Sequence, residues 1–365
     1  MGLASETDLL DFDSENGRLG LLLSSKAIVQ LLLNPVVGLV TAKIGYHLPL
    51  LFGTLILFAS AMMFGFGDGY FTLLLARSLQ GVASACIGIT GMCLVAEKYP
   101  TEPDRSKMMG FVLGSVAVGV LIGYPLGGFL YDVFGKWPPF IIVAAFISLF
   151  CGQSNQGSIE WLQLFSDNTI LLTGGAIGIS TTAMAILEPC LPLWLLKEIK
   201  PKRWQLGTAF IPDSVGYVVG TNSIGMIAHR VDRFKIATWS MVLVGISAFF
   251  IPTATSMTQL VIPHFLLGLG IGAVDAALVP LLAALVDSRQ STHYVSVYAM
   301  QQMAVSLAYS LGPVIGGEMV RAIGFPWLMR VIGVVNVLYS PAVIILDGLF
   351  AKVLLLAPES ISPRS

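Results

Sequence analysis

Ionisable side chains stand in the middle of several long apolar segments of this sequence. Asp275 lies in GIGAVDAALVP and Glu188 in AILEPCLPLW, while Lys26 and Arg77 interrupt LLLSSKAIVQ and LLARSLQG. Asp213, in AFIPDSVGY, is a fifth and lies nearer the end of its segment. Because a charge in hydrocarbon is costly, such residues usually face a cavity or pair with one another. They predict a buried polar pathway through an apolar protein.

The two carboxylates Asp275 and Glu188 suit the coupling of cations or protons. Burial favours the protonated form of a carboxyl group and a bound cation favours the ionised form, so one group can exchange a proton for a substrate. A structural ion pair with Lys26 or Arg77 is the alternative. For Arg77, helix packing or gating remains equally open, and a buried lysine without a carboxylate partner tends to lose its proton.

Aromatic residues near these carboxylates indicate an organic cation as the substrate. Trp194 follows Glu188 by six residues, and Tyr217 and Tyr309 lie inside their own apolar segments. A ring face attracts a positive charge by about 0.5–2 kcal/mol. Packing or an interfacial belt is the preferred interpretation of each ring taken alone, and only the set of three predicts a cage for a cation.

Other classes of function find no support in the sequence. It contains no P-loop, Rossmann fingerprint, HExxH or Gly-x-Ser-x-Gly motif, so we expect neither an enzyme nor a cofactor. The four cysteines show no metal-ligand spacing, and no metal is expected. With 20 Lys and Arg against 21 Asp and Glu, the charge predicts no nucleic-acid partner.

The elements that must position these residues are membrane helices. Hydrophobic residues make up 55% of the chain and charged residues only 11%, against about 25% charged in a soluble domain. A bilayer core needs about 20 apolar residues per helix. Eleven such runs are predicted, at 19–42, 48–66, 71–96, 107–130, 140–151, 169–196, 206–228, 236–253, 260–286, 294–320 and 327–350.

The fifth run divides the chain. At 12 residues it spans about 18 Å, too short to cross an ordinary bilayer, and a polar stretch follows it directly. The predicted regions are an acidic non-membrane segment at 1–18, an incomplete helix bundle at 19–151, a central linker at 152–167, a six-helix bundle at 168–350 and a tail at 351–365.

Internal repeats indicate two related halves. Gly38-x4-Lys43 matches Gly225-x4-Arg230, and Phe134-Gly135 matches Ile323-Gly324 after a shared Gly-x3-Gly-Gly pattern. Parallel repeats of six helices are a transporter arrangement, and the Gly38–Lys43 junction can form and break contacts as the bundles rock. With this register the first helix of the first half is absent from the sequence, which leaves about eleven of twelve helices.

The loop cations indicate an orientation. Cytoplasmic loops of membrane proteins carry an excess of Lys and Arg. Eight cations are assigned to loops of one face, against five on the other at 136, 197, 200, 202 and 203. The first set marks the predicted cytoplasmic face, at Lys43, Lys98, Arg105, Lys107, Arg230, Arg233, Lys235 and Arg289.

Several long strings in the sequence are unusual, among them SSKAIVQLLLNPVVGL, ARSLQG, MAILEPCLPLW, RWQLGTAFIP, LVDSRQSTHYVSVYA and AIGFPWLM. They resemble the major facilitator superfamily and, within it, the vesicular transporters of monoamines and acetylcholine, and the similarity runs from about residue 16 to 350. The resemblance implies an all-α, two-bundle, multi-pass membrane protein of secretory or synaptic vesicles. It implies exchange of luminal protons for a cytosolic amine by alternating access. A monoamine is favoured over acetylcholine.

The resemblance also implies roles for single residues. Asp275 would couple protons and take part in the substrate site with Glu188, which would receive the amine and share in the coupling. Trp194, Tyr217 and Tyr309 would supply pocket aromatics. Lys26 and Arg77 would belong to a polar network with Gln302 and the Gly38–Lys43 junction, and Thr181 stands where the monoamine branch has a pocket asparagine.

Two departures from the family qualify this picture. The family's first helix, with its amine-binding aspartate, is not found in the sequence, and Gln302 stands where the family has the aspartate partner of Lys26. The chain is therefore expected to be either a proton-coupled amine antiporter or a transport-deficient truncated form that only binds a ligand or partner. Uniport of another organic cation is a third reading. The expected partners are a small organic cation, protons and the lipid bilayer, with the protein as a monomer.

Overall fold

The computed structural model describes residues 6–149, 168–201, 203–228, 230–288 and 294–356. This part of the chain is α-helical, apart from short turns, and contains no strand. Within the described residues, a 3₁₀ turn, Ile251–Thr253, follows the helix Arg233–Phe250. The helices are α1 Glu6–Ile44, α2 His47–Phe66, α3 Tyr70–Lys98, α4 Glu102–Phe134, α5 Trp137–Leu149, α6 Asn168–Glu198, α7 Arg203–Thr208, α8 Ile211–Ile227, α9 Arg233–Phe250, α10 Met257–Ser288, α11 Tyr294–Ile323 and α12 Phe325–Leu356.

The count of membrane helices agrees with the sequence. Within the described ranges, nine helices are long and apolar enough to cross a bilayer. Helix α5, with 13 residues, is a shorter apolar helix, and α8, with 17 residues, is shorter than any of the nine. Both coincide with predicted runs, so the eleven-helix prediction is confirmed, and α7, with six residues, is too short to cross.

The ends of the helices differ from the apolar runs. Helix α1 begins at Glu6, inside the predicted acidic segment, although its candidate membrane span is Gly20–Ile44. At the other end of the chain, α12 continues to Leu356. Backbone hydrogen bonds thus carry α1 into polar sequence, whereas α12 ends in the apolar stretch AKVLLL. The predicted linker at 152–167 lies outside the described residues.

Three glycines end helices where two successive helices meet in a tight turn. Gly45, Gly135 and Gly324 have φ values of 82°, 86° and 80°, in the left-handed region that glycine adopts without strain. The amide of Gly324 donates to the carbonyl of Val320 at 2.9 Å. Gly135 and Gly324 are the glycines paired by the sequence repeat, so the two halves make the same turn.

The outer surface of the helices is strongly apolar. Phe71 is 83% exposed, and Trp239 and Leu338 are each 72% exposed. Soluble proteins rarely present contiguous apolar surface of this kind, whereas lipid-facing helices require it. The chain is therefore an integral membrane protein with many spans.

The helices pack as two groups joined by a few crossings. Helix α2 packs on α3 and α5 in the first half, and α9 packs on α10 and α12 in the second. The halves meet where α1 lies along α11 and α4 lies along α8. The closest contact within the second half is the seam between α8 and α10.

Glycine makes the α8–α10 seam possible. A Cβ on Gly216 would lie 2.1 Å from the carbonyl oxygen of Phe265, and one on Gly220 would lie 2.5 Å from that of Leu269. From the other helix, Gly268 and Gly272 face the backbones of Asp213 and Tyr217 in the same way. Backbone therefore packs directly on backbone along this seam, as at small-residue interfaces of membrane helices.

We expect Gly216→Ala to destabilise the protein by about 1–3 kcal/mol, because the new methyl group must push α8 away from α10. The check is the melting temperature of detergent-purified protein, followed by size-exclusion chromatography. Gly119→Ala is the matched control, since a Cβ there meets no atom within 4 Å. A melting temperature for Gly216→Ala equal to that of the control would contradict the close packing.

Candidate functional site

Asp275 and Tyr217 form a hydrogen-bonded pair between α10 and α8. The hydroxyl of Tyr217 donates to Oδ2 of Asp275 at 2.7 Å. Asp275 is only 7% exposed, and its Oδ1 has no hydrogen-bond partner among the described residues. Gly272 holds the backbone of Tyr217 close to α10 and so sets the reach of the tyrosine. A buried carboxylate with one free oxygen is available to a proton or a cation.

A second group of charges links the two halves. Lys26 of α1 interacts electrostatically with Arg77 of α3, a like charge, and with Glu188 of α6, an opposite charge. Glu188 also interacts with Asp213 of α8. The structure therefore supplies an opposite charge near Lys26 from α6. The sequence places Gln302 at the family's usual partner position and offers Glu188 as an alternative partner of Lys26.

The seam between α1 and α11 is held by neutral groups. The amide of Gln30 donates to Oε1 of Gln302 at 3.3 Å, and the amide of Asn34 donates to Oγ of Ser306 at 3.3 Å. Gly88 of α3 packs against the same Gln302 side chain. Gln302 thus bonds to Gln30, one turn along α1 from Lys26.

The predicted pocket residues Tyr309, Thr181 and Trp194 have different surroundings in the structure. Tyr309 of α11 interacts electrostatically with Tyr217 and so borders the Asp275 pair. Thr181 is buried on α6 and donates its hydroxyl to the carbonyl of Ile177 at 2.7 Å. Trp194 stacks on Phe325 at 4.9 Å between centroids, inside the packing between α6 and α12. The structure therefore brings Tyr309 to the pair and places Trp194 in an apolar cluster.

Arg77 and the Gly38–Lys43 junction lie on the first-half helices α3 and α1. Arg77 donates to Oε1 of Gln80, one turn along its own helix, at 3.1 Å. Gly38 is buried on α1, whereas Lys43 is exposed in the last turn of that helix. The junction therefore lies at the end of α1 that carries the predicted cytoplasmic charge.

Two buried arginines near that same face join the halves, and sequence reasoning had placed both in loops. Arg105 stands in the first turn of α4 and is 3% exposed, and its Nη2 lies 2.6 Å from Oδ2 of Asp287 on α10. Tyr294 of α11 donates its hydroxyl to the other oxygen of Asp287. The loop assignment of Arg105 was wrong because α4 begins at Glu102, before the apolar run.

The second arginine makes a parallel connection. Arg233 is the first residue of α9 and is 7% exposed. Its Nη2 lies 2.7 Å from Oε1 of Glu102 and donates to Oγ of Ser106 at 2.7 Å, both on α4. Asp232 caps α9 by accepting from the amides of Phe234 and Lys235. We call the four charged residues Arg105, Asp287, Arg233 and Glu102 the clasp.

The clasp was missed by sequence reasoning, although a signal for it exists. Buried arginines require a partner, and Arg105 and Arg233 stand at the starts of their helices, close to the acidic Glu102 and to the end of α10 that carries Asp287. The local sequence does not say which acid meets which arginine, because each pair joins helices far apart along the chain.

Comparison with known proteins gives a consistent result. The family profile described as Major Facilitator Superfamily matches residues 4–153 and 173–363. The human synaptic vesicular amine transporter is 41% identical over 350 residues, which cover 93% of this chain and 68% of that protein. The rat chromaffin granule amine transporter is 40% identical over 354 residues, with the same two coverages.

More distant proteins share the same region or the same fold. The vesicular acetylcholine transporter of Torpedo torpedo is 35% identical over 350 residues, covering 91% of this chain and 68% of that protein. A crystal structure of the human organic anion transporter MFSD10 superimposes with a TM-score of 0.74 at 14% identity, over 89% of this chain and 83% of that one. This last likeness concerns the fold alone.

Proposed function

The chain belongs to the Major Facilitator Superfamily and, within it, to the vesicular amine transporter family, and on this premise we propose that it exchanges protons for an organic amine across a vesicle membrane. The amine moves from the cytosol into a secretory or synaptic vesicle, driven by the acidic interior. Asp275 carries the proton, and Glu188 receives the ammonium group of the amine.

The observation that supports this proposal most directly is the Asp275–Tyr217 pair. An ionised Asp275 accepts the Tyr217 hydroxyl through Oδ2 and keeps Oδ1 for a proton. Protonation cancels the charge without breaking that bond, because a protonated carboxyl group still accepts through its carbonyl oxygen. Asp275 can therefore alternate between two stable forms in an apolar setting, as coupling requires.

The amine is proposed to bind where Glu188 faces the first half of the chain. Lys26 and Asp213 both act electrostatically on this carboxylate, from opposite sides of the interface between the halves. An arriving ammonium group competes with Lys26 for Glu188. Binding of the amine thus weakens an electrostatic link between the halves, which favours their movement.

Alternating access is supported by the clasp. Two ion pairs join α4 to α9 and α10 at one face, close to the ends of those helices. Breaking them would open that face, and forming them closes it. The proposed cycle uses the clasp as the closed position of the cytoplasmic side.

A monoamine is the proposed substrate. Identity is about 40% with the amine transporters and 35% with the acetylcholine transporter of Torpedo torpedo. A primary amine donates hydrogen bonds to carboxylates, which a quaternary ammonium cannot do. Glu188, which is partly exposed, and its buried neighbour Asp213 therefore suit a primary amine.

The test uses purified protein in liposomes with an acidic interior. We expect uptake of radiolabelled serotonin that a protonophore abolishes, with weaker uptake of acetylcholine. Protein-free liposomes supply the blank for passive entry of the neutral amine. Flux that persists after the pH gradient is collapsed would identify a uniporter, and saturable serotonin binding without any flux would identify a binding protein. Either result would contradict the proposal.

A further inference from the structure

The seam between α8 and α10 holds two buried ionisable residues, Asp213 and His264, to which the proposed function assigns no proton transfer. Asp213 is 6% exposed, and its Oδ1 has no hydrogen-bond partner among the described residues. His264 is fully buried, and neither ring nitrogen has a hydrogen-bond partner in that part of the chain. Buried polar groups are normally bonded, so an unpaired set on one seam requires an explanation.

These residues lie on consecutive levels of the seam. The ring of His264 meets Phe210 edge-on at 5.5 Å, at the start of α8. One turn further along α10, a Cβ on Gly268 would lie 2.8 Å from Oδ1 of Asp213. At the next turn Gly272 faces Tyr217, whose hydroxyl reaches Asp275. Since one helical turn advances about 5.4 Å, neighbouring levels are separated by roughly that distance.

The seam also has a direction. Phe210 and His264 lie towards the ends of α8 and α10 that adjoin the predicted luminal loops, and Asp275 lies near the middle of α10. The ionisable side chains therefore form a row from the predicted luminal side to the middle of the protein. We call this row of four residues, His264, Asp213, Tyr217 and Asp275, the file. Gly268 leaves the room that Oδ1 of Asp213 occupies, because any side chain there would displace the carboxylate.

We infer that the seam is a proton path, in which His264 and Asp213 pass protons between the vesicle lumen and the Asp275–Tyr217 pair. This inference rests on the proposed function and adds two positioned residues to it. Internal water bridges polar groups a turn apart at little energetic cost.

Each transfer conserves protons. A proton from the lumen binds one ring nitrogen of His264, and the imidazolium releases a proton to the carboxylate of Asp213. Asp213 then passes a proton through internal water to Oδ1 of Asp275, while the Tyr217 hydroxyl keeps its bond to Oδ2. His264 and Asp213 return to their starting forms, and Asp275 ends neutral with one proton gained.

The surroundings of the file are specific. Asp213 interacts electrostatically with Glu188 of α6, and Tyr217 interacts with Asp275, Tyr309 and Asp213. The ring of His264 approaches the backbone of Ala209 without reaching hydrogen-bond geometry. Among these interactions of Asp213, Tyr217 and His264, Glu188 is therefore the only charged group outside the file. An ammonium group bound at Glu188 would favour the ionised form of Asp213.

The test compares Asp213→Asn and His264→Asn with the unmodified protein in liposomes. We expect Asp213→Asn to lower pH-driven serotonin uptake by at least about tenfold, as for loss of a proton-transfer group. Exchange of labelled for unlabelled serotonin at equal pH needs no net proton transfer, so both variants should retain it. His264→Asn should shift the luminal pH at which uptake is half-maximal, and Asp213→Glu should recover part of the uptake.

Asp68→Asn is the matched control, because Asp68 is an acid 95% exposed on the same predicted face. Unchanged pH-driven uptake in Asp213→Asn would overturn the inference. Equal loss of uptake, exchange and serotonin affinity would also overturn it, because Asp213 would then be a substrate or structural residue.

A separate measurement covers failure of the proposed function itself. If the unmodified protein shows no pH-driven uptake, that proposal fails, and infrared difference spectra on acidification then test the path alone. A protonated-carboxyl band that Asp213→Asn removes and His264→Asn shifts would support the file. Its absence from the unmodified protein would overturn the path.

Discussion

Asp275→Asn is expected to reduce pH-driven serotonin uptake by about 100-fold or more, since the asparagine side chain keeps the shape of the aspartate but cannot take up a proton. The Tyr217 hydroxyl can still donate to the amide oxygen at the position of Oδ2, so α8 and α10 should stay packed. Serotonin binding at equilibrium is expected to survive, because Glu188 is unchanged. Initial rates of uptake and radioligand binding, measured on the same preparation, separate the two effects.

The matched control for this variant is Glu318→Gln, an acid 72% exposed that pairs with Arg321 of the same helix. Its uptake should equal that of the unmodified protein. Tyr217→Phe should fall between the two, because the carboxylate remains but loses one donor. Substantial pH-driven uptake by Asp275→Asn would show that another group carries the coupled proton.

Asp287→Asn should open the predicted cytoplasmic face, because it leaves Arg105 buried without its counter-charge. Removing one partner of a fully buried ion pair costs about 3–5 kcal/mol, and because Asp287 is 38% exposed we expect about 1–3 kcal/mol here. That cost falls on the state in which the clasp is closed. Nε and Nη1 of Arg105 already have no partner among the described residues, so no other acid is in place to compensate. We expect uptake to fall by about tenfold or more as that state becomes rare.

Cys93 reports the opening directly. It is fully buried, and Tyr298 beside it interacts electrostatically with both Arg105 and Asp287. In a background in which the other three cysteines are alanine, Cys93 should react with a maleimide several-fold faster in Asp287→Asn than in the parent. The matched control is Asp104→Asn, which alters an exposed acid in the first turn of α4, next to Arg105. Equal labelling rates in all three proteins would show that the clasp does not hold this face closed.

A charge exchange provides a further check on the clasp. Arg105→Asp combined with Asp287→Arg keeps one ion pair between α4 and α10, and should recover part of the uptake that either change alone removes. The expected coupling between the two sites is about 1–3 kcal/mol in a double-mutant cycle of melting temperatures converted to free energies. Additive effects would indicate that the two side chains act separately.

Hydropathy was sufficient to predict the number of helices but not their ends. The predicted run 140–151 contains most of α5, yet the helix begins at Trp137 because Pro138 and Pro139 suit its first turn, where amides need no partner. Apolar runs report where a helix meets lipid. Helix ends depend on capping and on backbone hydrogen bonds that continue into polar sequence, as at Glu6 of α1.

The chemistry-bearing residues were predictable as a set, whereas their pairing was not. Asp275 can be identified from the sequence alone, because a charged side chain in an apolar membrane segment costs free energy and such residues are usually functional. Its bond to Tyr217 joins residues 58 positions apart and depends on the glycines that bring α8 close to α10. Trp194 differs from Asp275. The sequence suggested a pocket aromatic, but the ring stacks on Phe325 in an apolar cluster, and nothing in the local sequence reveals that partner.

The crossing of α4 and α8 has a mechanical consequence. Gly110 and Gly225 meet there with no side chain between them, and a Cβ on Gly110 would lie 3.2 Å from the Cα of Gly225. Where side chains of two helices interdigitate, the helices can rotate against each other only if many of those side chains change rotamer. Where the contact is between glycine backbones, such a rotation requires few rotamer changes. In the proposed cycle, the halves would therefore turn about this crossing, and the clasp and the bound amine would limit how far they turn.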